Sequence, residues 1–482
     1  MNIISLGFLA FVLLTAAVYY LLPLKLRPCW LLAASLLFYI YADIRYLLFL
    51  GASILSCYAG ALAIQGRVRG RKLIFLLVLL FNLGLLACVK FLPYSLNVLG
   101  LLLGRELPQP RLLVPLGISF YTLQALSYLI DVYRGEAQGE RSLWKFALYM
   151  SFFPIIMQGP ICRYSQLSPQ LSSPHRLDYR QLKFGAQLML WGFFKKLVIA
   201  DRAGLLVNQV FDNYEAYAGL SVFLAMCLYT FQLYADFSGC VDISRGVSGM
   251  LGISLPDNFR RPLFSQSIQE FWRRWHISLS SWFRDYVYIP LGGNRKGQFR
   301  KYLNVLLVFA LSGIWHGVGM NYLFWGLLHG VYQVTGALSR RPKAALLRRL
   351  GVAQDSRALV LLRRLLCFLL VSFAFLFFRA PGLGAGMHMA SAMLLGSWLP
   401  QLSGGALLNL GLDGADLLVL ALALAILLAV SIIQERQSLR ELISRQRLPL
   451  RWTLYLLCLF AVLIFGIYGP GYDSAQFIYM NF

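Results

Sequence analysis

The sequence predicts a polytopic membrane protein, and two observations support this: a strongly hydrophobic composition and long apolar runs. Of the 482 residues, 59% are hydrophobic and only 13% are charged. A soluble globular domain carries about 25% charged residues, so this chain cannot cover a soluble surface. Disordered chains are poor in hydrophobic residues, which excludes disorder. Because a membrane span needs about 20 residues, we expect about 10 to 12 transmembrane helices together with re-entrant or interfacial helices.

The apolar runs divide the chain into candidate membrane helices. The first, Met1 to Leu22, has no basic segment before it and no small-residue cleavage site, so we expect a retained helix and not a cleaved signal peptide. Runs too short to span alone are expected to be re-entrant or broken helices, which must be buried in protein. The later runs cover residues 29–42, 46–64, 73–98, 112–130, 143–158, 182–200, 218–235, 302–314, 321–338, 357–378, 414–434 and 452–469.

Basic residues outnumber acidic ones by 44 to 20, which gives a formal net charge of +24. The excess lies between apolar runs and forms no continuous basic surface, so a nucleic-acid partner is not expected. Because Lys and Arg concentrate in cytosolic loops, we expect three basic clusters inside and both termini outside. The clusters are Arg67, Arg69, Arg71 and Lys72; then Arg340, Arg341, Lys343, Arg348, Arg349, Arg357, Arg363 and Arg364; then Arg436, Arg440, Arg445, Arg447 and Arg451.

One segment, residues 255–301, is too polar to span. Within it, aromatic and aliphatic residues recur at helical spacing from Ile268 to Tyr288. Such a helix is expected either to lie in the membrane interface, in contact with lipid headgroups, or to fold inward and line a cavity.

Histidine is the side chain best placed to move a proton near neutral pH, and the chain has five. His175, in SSPHRLDYR, is interpreted as a solvated loop residue. His388, in GMHMAS, is interpreted as structural. His276 falls in the aromatic segment, and His329 lies near the end of the run 321–338.

His316 is the strongest candidate because it lies between two apolar runs, in LSGIWHGVGMNYLFWGLLHG. An ionisable residue at membrane depth is costly, so a functional role is the default hypothesis. Gly313, Gly317 and Gly319 remove side-chain bulk around it, and we expect this to let a substrate approach the backbone. The alternative is a buried histidine hydrogen-bonded to a neighbouring helix.

A second polar group follows the run 218–235, in FQLYADFSGCVDISRG. Its members are Gln232, Tyr234, Asp236, Ser238 and Asp242. Arg245 lies three residues after Asp242, so an ion pair or a helix cap is the alternative to a functional role. A metal site would need more ligands close by, and none is predicted. The eight cysteines show no CxxC spacing and are interpreted as small buried hydrophobic residues.

No P-loop, dinucleotide fingerprint, GxSxG elbow or HExxH helix occurs, which leaves ATP-driven transport and a covalent serine mechanism unsupported. The chain instead resembles the membrane-bound O-acyltransferases, most closely the bacterial branch with the alginate O-acetyltransferase and peptidoglycan O-acetylation membrane subunits. The resemblance is strongest over about 115–335, and the closing run FIYMNF carries it weakly. Its motifs are PLGISFYTLQALSYLIDVYRG, FFPIIMQGPICRY, YADFSGCVDISRGVSGMLGISLPDNFRRP, SIQEFWRRWHISLSSWFRDYVYIPLGGNR and LSGIWHGVGMNYLFWGLLHG.

The resemblance implies an all-α, funnel-shaped membrane fold that forms a single domain over residues 1–482. It implies that the catalytic histidine is His316, in the WHG motif, and that the second important histidine is His276, in RWHISLS. Residues of YADFSG, including Asp236 and Ser238, are implied to form the core near the site. The departures are small: Cys240 stands where an aromatic residue is more frequent, and SGIWHG replaces TGLWHG.

Acyl transfer to a hydroxyl requires a base for the hydroxyl proton and donors for the tetrahedral oxyanion. Neutral His316 can act as the base, and His276 can orient a substrate. The candidate donors, which the sequence does not rank, are Trp315, Asn304, Asn321 and the backbone of the glycines.

The family implies that an acyl group, here acetyl, passes from a cytoplasmic thioester donor across the bacterial cytoplasmic membrane to a cell-surface polysaccharide. No bound cofactor is expected, because the thioester (acetyl-coenzyme A or an acyl carrier) is a substrate. The expected partners are this donor, membrane lipid, the polysaccharide and a separate secreted or membrane-anchored SGNH-type acyltransferase.

Three alternatives remain open. The chain could transfer D-alanyl groups from a carrier protein to teichoic acid. It could be a transporter or flippase without chemistry, or a scaffold that recruits a secreted acyltransferase. A carrier protein and its ligase encoded nearby would favour D-alanylation, and a non-catalytic chain would tolerate His316→Ala.

Overall fold

The architecture is that of a computed structural model that describes residues 3–66, 69–108, 113–156, 158–173, 175–398, 401 and 410–468. Arg67 and the closing run FIYMNF lie outside these ranges. Within them the regular structure is helical and contains no strand, which confirms the all-α prediction.

The α-helices are numbered in chain order over the described residues. They are α1 (Leu6–Leu21), α2 (Arg27–Ala42), α3 (Tyr46–Gly66), α4 (Arg71–Leu103), α5 (Ile118–Arg134), α6 (Leu143–Ser151), α7 (Phe153–Ile156), α8 (Tyr164–Ser172), α9 (Tyr179–Phe193), α10 (Asp201–Asp212), α11 (Leu220–Met250), α12 (Ile268–Arg274), α13 (Ile277–Phe283), α14 (Gly297–His316), α15 (Met320–Leu338), α16 (Arg340–Arg349), α17 (Arg357–Arg379), α18 (Leu383–Leu395), α19 (Gly414–Gln434), α20 (Leu439–Ser444) and α21 (Leu448–Phe465). Two π-helical segments, Phe194–Ala200 and Arg284–Tyr288, extend α9 and α13.

Six of these helices are long and apolar enough to cross a membrane, namely α3, α4, α11, α17, α19 and α21. Three shorter apolar helices, α1, α2 and α18, accompany them. The chain is therefore a multi-pass membrane protein, while the larger number of spans that the sequence predicts stays a prediction.

The run 143–158 confirms the expectation of a broken helix. It forms α6, a break at Phe152 and the four-residue α7. Every residue of α7 is buried. Burial in protein is what a break in a hydrophobic helix requires, because lipid cannot hydrogen-bond the freed backbone groups.

The described chain forms two compact units, Met1–Met189 with Val241–Pro256, and Leu190–Cys240 with Asp257–Phe482. In the first unit α5 is buried along most of its length and packs against α3, α4 and α6. Its Gln124 amide donates to the Tyr149 carbonyl at 2.8 Å. The expectation of a single domain is not decided by this division and stays a prediction.

His175, in the first unit, is not the solvated loop residue that the sequence suggests. It is half-buried, and its Nε2 makes a 2.6 Å hydrogen bond with the Gln170 carbonyl. The guanidinium of Arg27 donates to the carbonyl of His175. The loop is therefore held by one local hydrogen bond, to Gln170, and by one long-range hydrogen bond, from Arg27, which local polarity does not reveal.

In the second unit α14 and α15 form an antiparallel hairpin, and α15 also packs on α12, α17 and α18. The aromatic segment folds inward here, which confirms the cavity-lining alternative to an interfacial helix. It breaks into α12 and α13 at Trp275 and His276, and it buries Phe271, Trp275 and Trp282.

Candidate active site

His316 is the last residue of α14, and its imidazole is 3% exposed. Aromatic rings surround it: the ring centroids of Trp315, Trp325 and Phe378 lie 4.8, 5.1 and 5.3 Å from its own. These side chains come from α14, α15 and α17. The site therefore places an imidazole among aromatic rings that largely exclude water.

The glycines around His316 serve helix packing, which corrects the expectation that they clear space for a substrate. A Cβ on Gly313 would collide with the Tyr322 carbonyl, and one on Gly317 would collide with the Tyr322 ring. At Gly319 the side chain of Asn321 occupies the space. The missing side chains thus let α15 approach the end of α14 closely.

His276 lies at the break between α12 and α13 and is 1% exposed. Its backbone is left-handed, with φ of 44°, which is uncommon for a residue other than glycine. Its Nδ1 lies 3.4 Å from Asn258 Oδ1, and the backbone N–H of Ser278 donates to the same oxygen at 3.0 Å. Since that oxygen can only accept, Nδ1 carries the proton, and Nε2 of the neutral ring holds the lone pair.

Burial lowers the pKa of His276 to about 3, because desolvation disfavours the charged form. Trp315 connects the two histidines, since its ring lies 6.5 Å from His276 and 4.8 Å from His316. The structure thus brings together the two histidines and the tryptophan that the sequence singled out.

Asp236 and Ser238 lie in a buried cluster of charges on α11 and the π-helical segment Phe194–Ala200. Lys196 Nζ lies 2.8 Å from Asp236 Oδ1 and 2.8 Å from Asp201 Oδ1. Lys195 Nζ donates to Ser238 Oγ at 2.8 Å. Neither lysine is predicted from the sequence as a site residue, although two adjacent lysines inside the apolar run 182–200 are an available signal.

For Asp242 the structure supports an ion pair as the alternative to a functional role, since Arg245 lies 3.8 Å from its carboxylate. For Asp236 the pairing with Lys196 neutralises the charge that a substrate would otherwise meet. Its predicted role in substrate binding stays a prediction, as does that of Ser238.

The two candidate asparagines donate to backbone carbonyls. Asn304 Nδ2 donates to Leu291 and Gly293, at 3.3 and 3.1 Å. Asn321 Nδ2 donates to the carbonyls of Phe377 and Ala380, at 3.3 and 3.0 Å. In this arrangement both amides hold backbone in place, and Asn321 anchors the end of α17 that carries Phe378. Their roles as oxyanion donors stay predictions.

A cavity of about 2050 Å³ lies in the second unit and is lined by α12 to α17. Its wall includes Trp272, Phe309, Ser312 and Tyr332. Ser312 stands one helical turn before His316, so the two side chains share a face of α14. The cavity therefore reaches the turn of α14 next to His316.

The lining of the cavity is strongly basic. Its charged residues, as far as the structure describes them, are Arg273, Arg284, Lys301, Arg340, Arg341, Lys343 and Arg363, with no Asp or Glu. Three of them belong to the start of α16. Arginine and lysine in such density are suited to bind phosphate groups.

His329 is a further buried histidine, and the sequence assigned it no role. It is 0% exposed, and Trp272 Nε1 donates to its Nδ1 at 3.3 Å. The ring of Trp325 lies 5.3 Å from it and 5.1 Å from His316. In the sequence, its spacing of four residues from Trp325 indicates that both side chains lie on the same face of a helix. Over the described residues, no group of three or more His, Cys, Asp or Glu could hold a metal ion.

The chain is similar in sequence to known proteins of one family. The sequence profile of the membrane-bound O-acyltransferase family matches residues 133–346. The probable alginate O-acetylase of Pseudomonas aeruginosa is 37% identical over 84% of this chain and 77% of its own length. The peptidoglycan O-acetyltransferase of Helicobacter pylori is 34% identical over 86% and 80%. The teichoic acid D-alanyltransferase of Bacillus subtilis is 32% identical over 46% and 59%.

Proposed function

This chain belongs to the membrane-bound O-acyltransferase family and is an acyltransferase, and on that premise we propose that it moves an acetyl group from a cytoplasmic thioester donor to hydroxyl groups of a cell-surface polysaccharide. The observation that carries the proposal is His316, which is buried among aromatic rings one helical turn from the wall of a large cavity.

The cavity is the proposed route of the donor. The basic cluster at the start of α16 supports an entrance on the cytosolic side, because Lys and Arg are enriched in cytosolic loops. The cationic lining fits a donor that carries phosphate groups, such as acetyl-coenzyme A. The aromatic wall formed by Trp272, Phe309 and Tyr332 fits the apolar thioester end.

The proposed reaction uses His316 as general base. Its neutral imidazole takes the proton of the acceptor hydroxyl while the hydroxyl oxygen bonds to the thioester carbonyl carbon. The carbonyl π electrons move to oxygen, and the tetrahedral intermediate then collapses with cleavage of the C–S bond. The imidazolium returns the proton to the leaving thiolate, so the base is regenerated. The surrounding rings exclude water and limit hydrolysis of the acyl group.

The proposal for the acceptor is supported by two relatives, a probable alginate O-acetylase and a peptidoglycan O-acetyltransferase. We infer an extracytoplasmic polysaccharide, reached directly or through a secreted SGNH-type partner that receives the acyl group. This assignment places the chain in the bacterial cytoplasmic membrane, where it joins a cytosolic donor to an outside acceptor.

The test of the proposed function compares ester content in cells lacking the gene after complementation at matched membrane levels. Wild type and the exposed-residue control His388→Ala should restore O-acetyl esters on the surface polymer, and His316→Ala should not. Ester content is measured by mild alkaline release and mass spectrometry. D-alanyl esters in place of acetyl esters would overturn the acetyl assignment, and full restoration by His316→Ala would favour a conduit or scaffold.

The proposed donor route has its own test. Arg340→Glu with Arg341→Glu reverses charge in the cavity lining, whereas Arg348→Glu with Arg349→Glu makes the same change on α16 outside that lining. The first pair should raise KM for acetyl-coenzyme A by about tenfold or more, since charge-assisted hydrogen bonds are worth about 1.5–3 kcal/mol each. The second pair should leave KM near the wild-type value. Equal effects of the two pairs would contradict the route.

A further inference from the structure

Trp325 and His329 lie one turn apart on the same face of α15 and are 1% and 0% exposed. Each carries a ring nitrogen, Trp325 Nε1 and His329 Nε2, with no hydrogen-bond partner among the described residues. Burying a polar group without a partner costs free energy, and most buried polar groups in proteins are paired. Two such atoms on adjacent turns can pair with polar groups of a bound ligand.

Both nitrogens are donors. An indole N–H can only donate, so Trp325 Nε1 requires an acceptor. Trp272 Nε1 donates to His329 Nδ1 at 3.3 Å, and Nδ1 must therefore be the unprotonated nitrogen. In the neutral imidazole the proton then lies on Nε2. The ligand group that completes this site is consequently an acceptor, such as a carbonyl oxygen.

The pair connects the base to the cavity. The Trp325 ring lies 5.1 Å from His316 and 5.3 Å from His329. Around His329, the rings of Trp272 and Phe309 lie at 5.0 and 6.2 Å, and both residues line the cavity. Trp325 and His329 therefore lie directly behind the aromatic wall of the cavity, and the same Trp325 ring contacts His316.

We propose that Trp325 Nε1–H and His329 Nε2–H donate hydrogen bonds to the acyl carbonyl of the donor and to the oxyanion that forms from it. This inference rests on the proposed function and ranks the oxyanion donors, which the sequence left open. Trp272 is a positioning residue in this assignment, because its hydrogen bond sets the tautomer of His329. The amides of Asn304 and Asn321 already donate to backbone carbonyls.

The first experiment measures transfer of [14C]acetyl from acetyl-coenzyme A in inside-out membrane vesicles at several donor concentrations. Trp325→Phe and His329→Phe keep an aromatic ring and remove the donor. Each should lower kcat by about 10²- to 10³-fold, the effect of losing one oxyanion donor, with KM changed much less. His329→Gln, which restores an N–H near the Nε2 position, should recover part of the rate.

Matched controls make the same chemical changes elsewhere in the second unit. Trp398→Phe removes an indole donor that bonds the Met393 carbonyl at 3.0 Å, and His388→Gln changes an exposed histidine. Both should keep the wild-type kcat. A rate loss in these controls equal to that in Trp325→Phe would overturn the assignment.

A spectroscopic readout separates hydrogen bonding from packing. Acetyl-coenzyme A labelled with 13C at the carbonyl is bound to purified His316→Ala, which does not turn over, and the C=O stretch is read by infrared difference spectroscopy. Adding Trp325→Phe or His329→Phe should move this band to higher frequency, because a hydrogen bond to the carbonyl is lost. An unchanged band in both double variants would overturn the proposal; where one of them does not fold, an unchanged band in the other is sufficient.

Failure of the proposed function and failure of this inference give different results. A wild type that neither binds nor transfers acetyl from acetyl-coenzyme A overturns the proposed donor and this inference with it. A wild type that transfers acetyl and loses the activity in His316→Ala, but keeps it in Trp325→Phe and His329→Phe, overturns the donor pair alone.

Discussion

The region around His316 and the charged cluster around Asp236 differ in whether their buried polar groups have partners. Near His316, imidazoles lie among aromatic rings, and ring nitrogens of Trp325 and His329 have no acceptor in the described chain. In the charged cluster, Lys196 lies within 2.8 Å of both Asp201 and Asp236, and each charge has its opposite nearby. Both regions are polar segments beside apolar runs in the sequence. The first region therefore offers hydrogen-bond donors to a bound ligand, and the second is a structural ion-pair network.

The largest effect expected is on catalysis at His316. His316→Gln should lower acyl transfer by about 10²- to 10⁴-fold, the usual contribution of a general base. Its unfolding temperature should stay near that of wild type, because the change leaves no buried charge. Acyl transfer from acetyl-coenzyme A measures the activity, and thermal unfolding in detergent measures the unfolding temperature. If His316→Gln lost stability as well as activity, His316 would have a structural role like that of the charged cluster, and the two regions would not differ in this respect.

The charged cluster should show the reverse pattern. Asp236→Asn leaves Lys196 with Asp201 as its remaining carboxylate and should destabilise the fold by about 3 kcal/mol. The matched control on the same helix is Asp242→Asn, whose 3.8 Å pair with Arg245 is more exposed and should be worth about 1 kcal/mol or less. Thermal unfolding and membrane yield measure both. If Asp236→Asn unfolds normally yet loses transfer, the cluster belongs to the active site.

The third prediction concerns the close approach of α14 and α15. Gly313→Ala places a methyl group against the Tyr322 backbone and should cost about 1–3 kcal/mol, as overpacking does. Gly336→Ala changes a glycine of α15 that has open space around it and should be neutral or stabilising by up to about 1 kcal/mol. Equal unfolding temperatures for the two variants would contradict the packing role of the glycines.

The smallest effect is the pH dependence that His276 contributes. Its pKa of about 3 in the folded protein lies below the ordinary value of about 6.5, so the unfolded state binds the proton first. The stabilisation is complete above pH 6.5 and is lost as the pH falls towards 3, by about 1.4 kcal/mol per pH unit. His276→Asn, whose side chain tolerates the left-handed backbone, removes the titrating group.

Thermal unfolding at pH 7.5 and at pH 5 measures this slope. Wild type should lose more stability on acidification than His276→Asn does. Identical slopes in the two proteins would show that His276 accepts its proton as easily in the folded state as in the unfolded state. In that case His276 would behave like the solvated residues and not like the buried ring next to Trp315.

The sequence by itself determined the class of the protein and singled out its candidate site residues. Composition and apolar runs were enough to predict a multi-pass membrane protein. A chain of this length with so few charged residues cannot cover its surface in water and must expose much of it to lipid. The rarity of ionisable residues in apolar runs sufficed to single out His316. Motif order identified the family, and the helical spacing of the aromatic segment left its inward fold as one of two alternatives.

Only the tertiary structure decided which polar groups are paired and with what. The partner of Asp236 is Lys196, 40 positions earlier in the chain, and His276 is held by Asn258. The space beside Gly313 and Gly317 is occupied by Tyr322 of the next helix and not by a substrate. The π-helical segment Phe194–Ala200 buries two adjacent lysines, which helical periodicity does not predict. Each outcome depends on contacts between distant segments, and a local pattern of hydrophobic and polar residues contains no information about such contacts.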